Sequence, residues 1–205
     1  MDIQLNFVNR SNDANNSEVV VFQKNAATNV EETAIAWQVI KNCGQGDSHP
    51  FMYPNTMQVA ASDSYGNFTP QLDAQHGQQF AVKKTPSGDQ LMENGASSNA
   101  KELEVLNALD QGAINAYVYK SGKVIAQKTA IAPAQKAVFQ FKPTLWIGVV
   151  SQVDEGAAIN SAILSNINTE LSLLGIASAD IVMTGGGPGA NATAFAFQLE
   201  NVVMS

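Results

Sequence analysis

Few residues in this chain have the chemistry of a catalytic or metal centre. Its 205 residues include two histidines, His49 and His76, and one cysteine, Cys43. An iron site of the 2-His-1-carboxylate type would need both histidines at one point, yet both lie in loop-like segments rich in glycine and proline. The sequence has no Gly-x-Ser-x-Gly motif, which would mark a serine nucleophile. We therefore expect a protein that is not an enzyme and has no catalytic residues.

Two loops carry oxygen ligands of the kind that calcium prefers. One lies between the first two apolar segments, and the other surrounds Asp63. Neither has the spacing of an EF-hand, and the same residue types are typical of ordinary turns. Calcium is the only cofactor that the sequence suggests. The candidate ligands are Asn12, Asp13, Asn15, Asn16, Glu18 and Asp63.

Four aromatic residues sit in consecutive loop-like segments among prolines and glycines: Phe51, Tyr53, Tyr65 and Phe68. If they cluster at one end of the fold, they form a platform for a sugar ring or a protein partner. If they instead cover the core from the loops, they have no role in binding. Both interpretations remain open at the level of the sequence.

A run of glycines from 185 to 189 resembles a phosphate-binding loop only superficially. The lysine and the following serine or threonine of a P-loop are absent, and Pro188 stands inside the run. We expect a flexible turn between the last two strands.

The composition limits the possible partners. Only 14% of the residues are charged, compared with about 25% in an average domain, and the net charge is −7. Arg10 is the sole arginine, so neither nucleic acid nor an anionic membrane surface is expected as a partner. A weakly charged surface offers little repulsion to neighbouring copies, which favours a homo-oligomer or a protein partner. Carbohydrate is a further candidate.

The sequence contains no recognisable targeting segment. It begins without the basic and apolar regions of a signal peptide, and no apolar run approaches the length of about 20 residues that a membrane span needs. A single cysteine cannot form an intrachain disulfide. These features predict a cytoplasmic protein, or one released without a standard signal peptide.

Short apolar segments alternate with turn signals along the chain, which predicts an all-β fold. We expect about a dozen short strands in a mainly antiparallel β-sandwich, forming a single domain over residues 1–205. The segment 19–22 is apolar on both faces, as in a central strand that is covered on both sides. The segment 120–123 predicts a hairpin turn, and a second strand pair is expected around Pro143.

One segment departs from the strand pattern. Between residues 154 and 174, apolar residues recur at three- and four-residue steps, Asp154 could cap a helix and Gly175 could end it. We predict an amphipathic helix there, although strand alternation also fits part of the segment.

Three functional classes are consistent with these features. The first is a non-catalytic binding or self-assembling protein, which the low charge favours. The second is a calcium-dependent or carbohydrate-binding, lectin-like module, which the oxygen-rich loops and the aromatic residues suggest. The third is a membrane-active, pore-forming protein that releases the 154–174 helix, although the segment carries no lysine or arginine to attract lipids.

Overall fold

The structure is a computed structural model that describes residues 2–27, 34–167 and 169–205. It confirms the all-β prediction. The strands are β1 (Ile3–Asn9), β2 (Glu18–Phe22), β3 (Gln38–Ile40), β4 (Ser48–Tyr53), β5 (Met57–Asp63), β6 (Leu72–Ala74), β7 (Gln78–Thr85), β8 (Gly88–Ala96), β9 (Leu103–Asn107), β10 (Ile114–Lys120), β11 (Lys123–Ile131), β12 (Lys136–Phe139), β13 (Thr144–Val150), β14 (Thr169–Ser172), β15 (Ile176–Gly186) and β16 (Thr193–Met204).

The described part of the chain divides into two compact units. Unit 1 is drawn from residues 1–24, 33–55 and 143–205, and unit 2 from residues 25–32 and 56–142. Each unit contains two four-stranded sheets. The expectation of one undivided domain over 1–205 stays a prediction.

Unit 1 contains sheets of the order β16-β15-β1-β4 and β14-β13-β2-β3. Its strand pairs are antiparallel except for β1 and β15, which run parallel. Trp37 is fully buried and directly precedes β3 of the second sheet. Its ring packs against β4 of the first sheet. The Tyr53 ring on β4 packs edge-on against Trp37, with 5.9 Å between the ring centroids. The Tyr53 hydroxyl accepts a hydrogen bond of 3.0 Å from Gln23, which follows β2.

Strand β2 is covered on both faces, as the sequence predicts. Val19, Val20, Val21 and Phe22 are all buried. Val20 and Phe22 belong to a hydrophobic cluster over β2, to which the chain after β13 contributes. Its other buried members are Ala34, Ala36, Val150, Val153, Ile159 and Ile167.

The predicted helix over 154–174 is wrong in extent. The only α-helix in the described ranges is α1 (Ser161–Leu164), and residues Thr169–Ser172 form β14 instead. Asn160 caps α1 by accepting the Ile163 amide at 2.8 Å, whereas the Asp154 carboxylate accepts a hydrogen bond from Lys41. The apolar spacing arises because an irregular segment inserts isoleucines into the cluster over β2. Residue 168 lies outside the described residues.

Unit 2 contains sheets of the order β11-β10-β5-β6 and β12-β9-β7-β8, in which only β7 and β9 run parallel. The predicted turn between β10 and β11 is confirmed, since Ser121 and Gly122 have φ of 51° and 73°, as a two-residue hairpin requires. The strand pair expected around Pro143 is wrong. Strand β12 pairs with β9 in unit 2, and β13 pairs with β2 and β14 in unit 1.

A buried carboxylate lies in the sheet of β9. Glu104 is fully buried and accepts hydrogen bonds from Lys136 and Gln79, each at 2.6 Å, and from the Ser98 amide at 3.0 Å. Burial by itself raises the pKa of Glu104, but these hydrogen bonds outweigh it, so its pKa lies below its usual value. Burial, together with the charge of Lys120, lowers the pKa of His76.

These two groups predict a loss of stability in acid. Because both pKa values are depressed by folding, the unfolded chain binds protons first as the pH falls. We expect the melting temperature to decline below about pH 6.5, as His76 charges on unfolding, and more steeply below about pH 4.3, where carboxylates protonate. Thermal melts between pH 8 and pH 2.5 measure this.

Glu104→Gln is expected to lower the free energy of unfolding at neutral pH by about 1–3 kcal/mol. It should also make the melting temperature decline less steeply in acid. The exposed Glu93 supplies the control, and Glu93→Gln should leave the profile unchanged. Equal profiles for the two variants would contradict the role of Glu104.

None of the helices in the described ranges has the length and apolar character to cross a membrane.

Candidate functional site

The first oxygen-rich loop uses its main carboxylate to hold its own backbone. Asp13 accepts the amides of Asn15 at 2.9 Å and Ser17 at 2.6 Å, one on each carboxylate oxygen. Partial burial raises the pKa of Asp13, but these backbone hydrogen bonds outweigh it and the pKa is lowered overall. This carboxylate therefore builds the turn that leads into β2.

The other candidate ligands of this loop are spread over separate contacts. Asn12 accepts a hydrogen bond from Gln45 at 3.3 Å, and Asn16 donates one to Asn42 at 2.8 Å. Glu18 forms an ion pair with Lys41 at 3.4 Å, and Asn15 is exposed. Within the described ranges no three His, Cys, Asp or Glu side chains are grouped as a metal site. Calcium binding by this loop stays a prediction.

Asp63 organises the loop between β5 and β6 in a similar way. One carboxylate oxygen accepts the amides of Tyr65 and Asn67, each at 2.9 Å, and the other accepts the Asn67 side chain at 2.8 Å. The Asn67 side chain contributes most to lowering the pKa of Asp63. The loop is thus held in one conformation by its own hydrogen bonds.

The four aromatic candidates fall into two different settings. Phe51 and Tyr53 lie on β4 of unit 1, where both pack edge-on against Trp37. Tyr53 is only 3% exposed and Phe51 is half-buried, and their part in a ligand surface stays a prediction. In unit 2, Tyr65 and Phe68 are exposed by 89% and 59%. Only this second pair has the exposure that a binding surface needs.

Phe68 borders a cleft of about 430 Å³ in unit 2. The buried residues Ala61, Val82 and Ile114 form its apolar floor. The polar lining comes from the loop between β5 and β6 and from the hairpin of β7 and β8. These polar residues are Ser62, Asp63, Asn67, Thr69, Lys84, Ser87 and Asp89.

Lys84 and Asp89 give this cleft one charge of each sign from the hairpin. They are directly opposed in the register of β7 and β8, and both are exposed. In the part of the chain that the structure describes, neither side chain makes a hydrogen bond or ion pair. A donor group and an acceptor group are therefore both free to meet a ligand.

Strand β16 forms a second candidate surface, at the edge of the first sheet in unit 1. It is 12 residues long, and among the described residues it pairs with β15 alone, so that its other side has no strand neighbour there. Its single ionisable residue, Glu200, is paired with Arg10 at 2.7 Å. A long and nearly uncharged edge presents a row of open backbone donors and acceptors to another strand.

The other edge strands in the described ranges have features that discourage strand addition. Strands β3, β6, β12 and β14 have only three or four residues. The longer edges carry a proline or several charges, which oppose pairing. These residues are Pro50 on β4, Asp89 and Glu93 on β8, and Lys123 and Lys128 on β11.

Exposed apolar side chains gather where β16 ends. Val202, Val203 and Met204 are 43%, 54% and 64% exposed, and Leu174, in the turn before β15, is 73% exposed. The Ser205 amide binds the Gly175 carbonyl at 2.9 Å, which holds this end of the strand against the turn. The edge of β16 therefore combines open backbone groups with apolar side chains.

Comparison of the chain with protein-family models, with curated protein sequences and with solved structures found no match.

Proposed function

We propose that this chain is a non-catalytic binding protein that associates with a second copy of itself through β16. The observation that carries the proposal is a 12-residue edge strand whose one charge is already neutralised by Arg10. A strand of this kind is suited to pair with another strand, because it offers many open backbone groups and carries no unpaired charge.

A two-fold axis near the middle of β16 is the simplest arrangement for the pair. Two copies of β16 would run antiparallel and join the four-stranded sheets into one continuous sheet. Gln198 lies near the centre of the strand and would lie opposite its own copy across the axis. The apolar ends with Val202, Val203 and Met204 would flank the interface.

The association is expected to be reversible. The open backbone groups of a free edge bind water, so each new hydrogen bond adds little net free energy. The apolar side chains supply further stabilisation as they leave water. An interface made of one strand pair falls at the small end of protein interfaces, where complexes are weak and exchange readily.

Gln198→Lys is expected to weaken the dimer at least tenfold, equivalent to about 1.4 kcal/mol. Two copies of the substituted lysine would meet near the axis, and like charges on opposed strands repel each other. Size-exclusion chromatography with light scattering, over a dilution series, measures the dissociation constant. The wild-type chain should reach twice its monomer mass of 21.7 kDa at high concentration.

The matched control is Gln90→Lys, which makes the same change on the edge strand β8 of unit 2. This variant should dimerise like the wild type. A wild-type chain that stays monomeric at the highest attainable concentration would overturn the proposal. Equal dissociation constants for the wild type and Gln198→Lys would overturn it as well.

The pore-forming alternative depends on a long helix over 154–174. The α-helix in this segment, α1, has only four residues and does not support that alternative.

A further inference from the structure

We propose that the cleft of unit 2 binds a saccharide, with the face of one sugar ring stacked on Phe68. The inference is independent of self-association, because every residue that lines the cleft belongs to unit 2. The ligand class follows from the platform, the floor and the charges described below.

Phe68 forms a fixed apolar platform on an otherwise polar rim. The residue is 59% exposed, and the Tyr117 ring packs against the Phe68 ring with 5.2 Å between centroids. The backbone is held on both sides, since Phe68 bridges to Ser62 and the Thr69 amide binds the Ala61 carbonyl at 2.9 Å. Sugar rings bind in this way, with their C–H face on an aromatic ring and their hydroxyls directed to polar neighbours.

The rim of the cleft is organised before any ligand arrives. Asp63 holds the loop between β5 and β6 through the amides of Tyr65 and Asn67 and through the Asn67 side chain. Strands β7 and β8 hold the hairpin on the other side. Binding therefore requires little ordering of the protein, which favours ligands that make only a few contacts.

The charges favour an uncharged ligand with many hydroxyls. Lys84 supplies donors and Asp89 supplies acceptors, so neighbouring hydroxyls of one sugar ring can serve both, each acting as donor and acceptor. An anion would meet the carboxylates of Asp63 and Asp89 beside a single lysine. The volume of about 430 Å³ lies within the usual range of small-molecule sites, about 300–1,000 Å³.

Probing a glycan array with labelled protein tests the inference and identifies the sugar. Saturation-transfer NMR with methyl pyranosides of glucose, galactose, mannose and N-acetylglucosamine then tests binding in solution. We expect binding to at least one glycan family, with Phe68→Ala weakening it at least tenfold. Lys84→Met and Asp89→Asn should each weaken it by a smaller factor.

The matched control is Tyr65→Ala, which removes an exposed aromatic ring from the same loop but not from the lining of the cleft. It should keep wild-type affinity, and thermal melts should show both alanine variants folded. The inference would be overturned if the protein bound neither a glycan on the array nor any of the four pyranosides. Unchanged affinity in Phe68→Ala, or equal losses in the two alanine variants, would overturn it too. Affinity in Gln198→Lys should match the wild type, which separates this site from dimerisation.

Discussion

Trp37→Ala is expected to lower the free energy of unfolding by about 3–5 kcal/mol, a large share of the stability of a typical domain. Trp37 is fully buried, and the rings of Phe51 and Tyr53 pack edge-on against it at centroid distances of 6.1 Å and 5.9 Å. Truncation leaves a cavity beside β4, the strand that carries both of these rings. Urea denaturation followed by circular dichroism measures the loss.

The second tryptophan provides the control. Trp146 on β13 is only half-buried, where it stacks with Phe22 and lies 3.4 Å from the Lys24 ammonium group. Trp146→Ala should therefore cost clearly less than Trp37→Ala. Equal losses would show that Trp37 does not have the central packing role assigned to it.

Gly185→Ala is expected to destabilise unit 1 by about 3 kcal/mol or more, because two costs add. The residue has φ of 90°, a conformation that strains any L side chain by about 1–2 kcal/mol. In addition, an added Cβ would overlap the Ala194 carbonyl oxygen and lie 2.9 Å from the carbonyl carbon. These are backbone atoms of the neighbouring strand β16, which cannot rotate away as a side chain could.

Gly189→Ala separates the two costs. Gly189 also has a positive φ, of 58°, but an added Cβ would meet no atom within 4 Å. The free energy of unfolding of Gly189→Ala should therefore fall only by the conformational cost of the positive φ, about 1–2 kcal/mol. Denaturation curves for both variants give the difference, and a Gly185→Ala variant as stable as Gly189→Ala would refute the overlap. The glycine run that resembles a phosphate loop thus has a structural role at the β15–β16 connection.

Local patterns predict individual strands well in this protein. The segment 19–22 is apolar at consecutive positions, and it forms a strand covered on both faces. The turn at Ser121 and Gly122 follows from a two-residue break between alternating segments, in which Gly122 adopts positive φ without steric cost. Both predictions depend only on neighbours in the sequence, so the sequence contains the information they need.

Partners distant in the sequence are harder to predict. Ile159, Ile163 and Ile167 recur at four-residue steps, but only Ile163 lies on the short helix α1, and all three pack on the cluster over β2. The strands before and after Pro143 look like a hairpin, yet each pairs with strands elsewhere. Periodicity identifies the covered side of a segment and not its pairing partner.

In the candidate sites, too, residue types can be read from the sequence, whereas their pairing cannot. Phe68 stands out by its residue type, whereas Lys84 and Asp89 become a pair only through the register of β7 and β8. The sequence marks 195–199 as strand-like, but the edge position of β16 depends on the order of strands in the sheet. The turn chemistry of 85–89 was the one local signal that could have brought Lys84 and Asp89 into consideration.

The parallel pairing of β1 with β15 imposes an order of events during synthesis. Residues Asn6 and Asp180 are hydrogen-bonded neighbours at 3.0 Å, although 174 positions separate them along the chain. On the ribosome β1 emerges early but has to wait for β15, while the sheet strands of unit 2, from residues 56–142, are already complete. Unit 2 can therefore mature on the nascent chain, and unit 1 closes last around the long-separated ends.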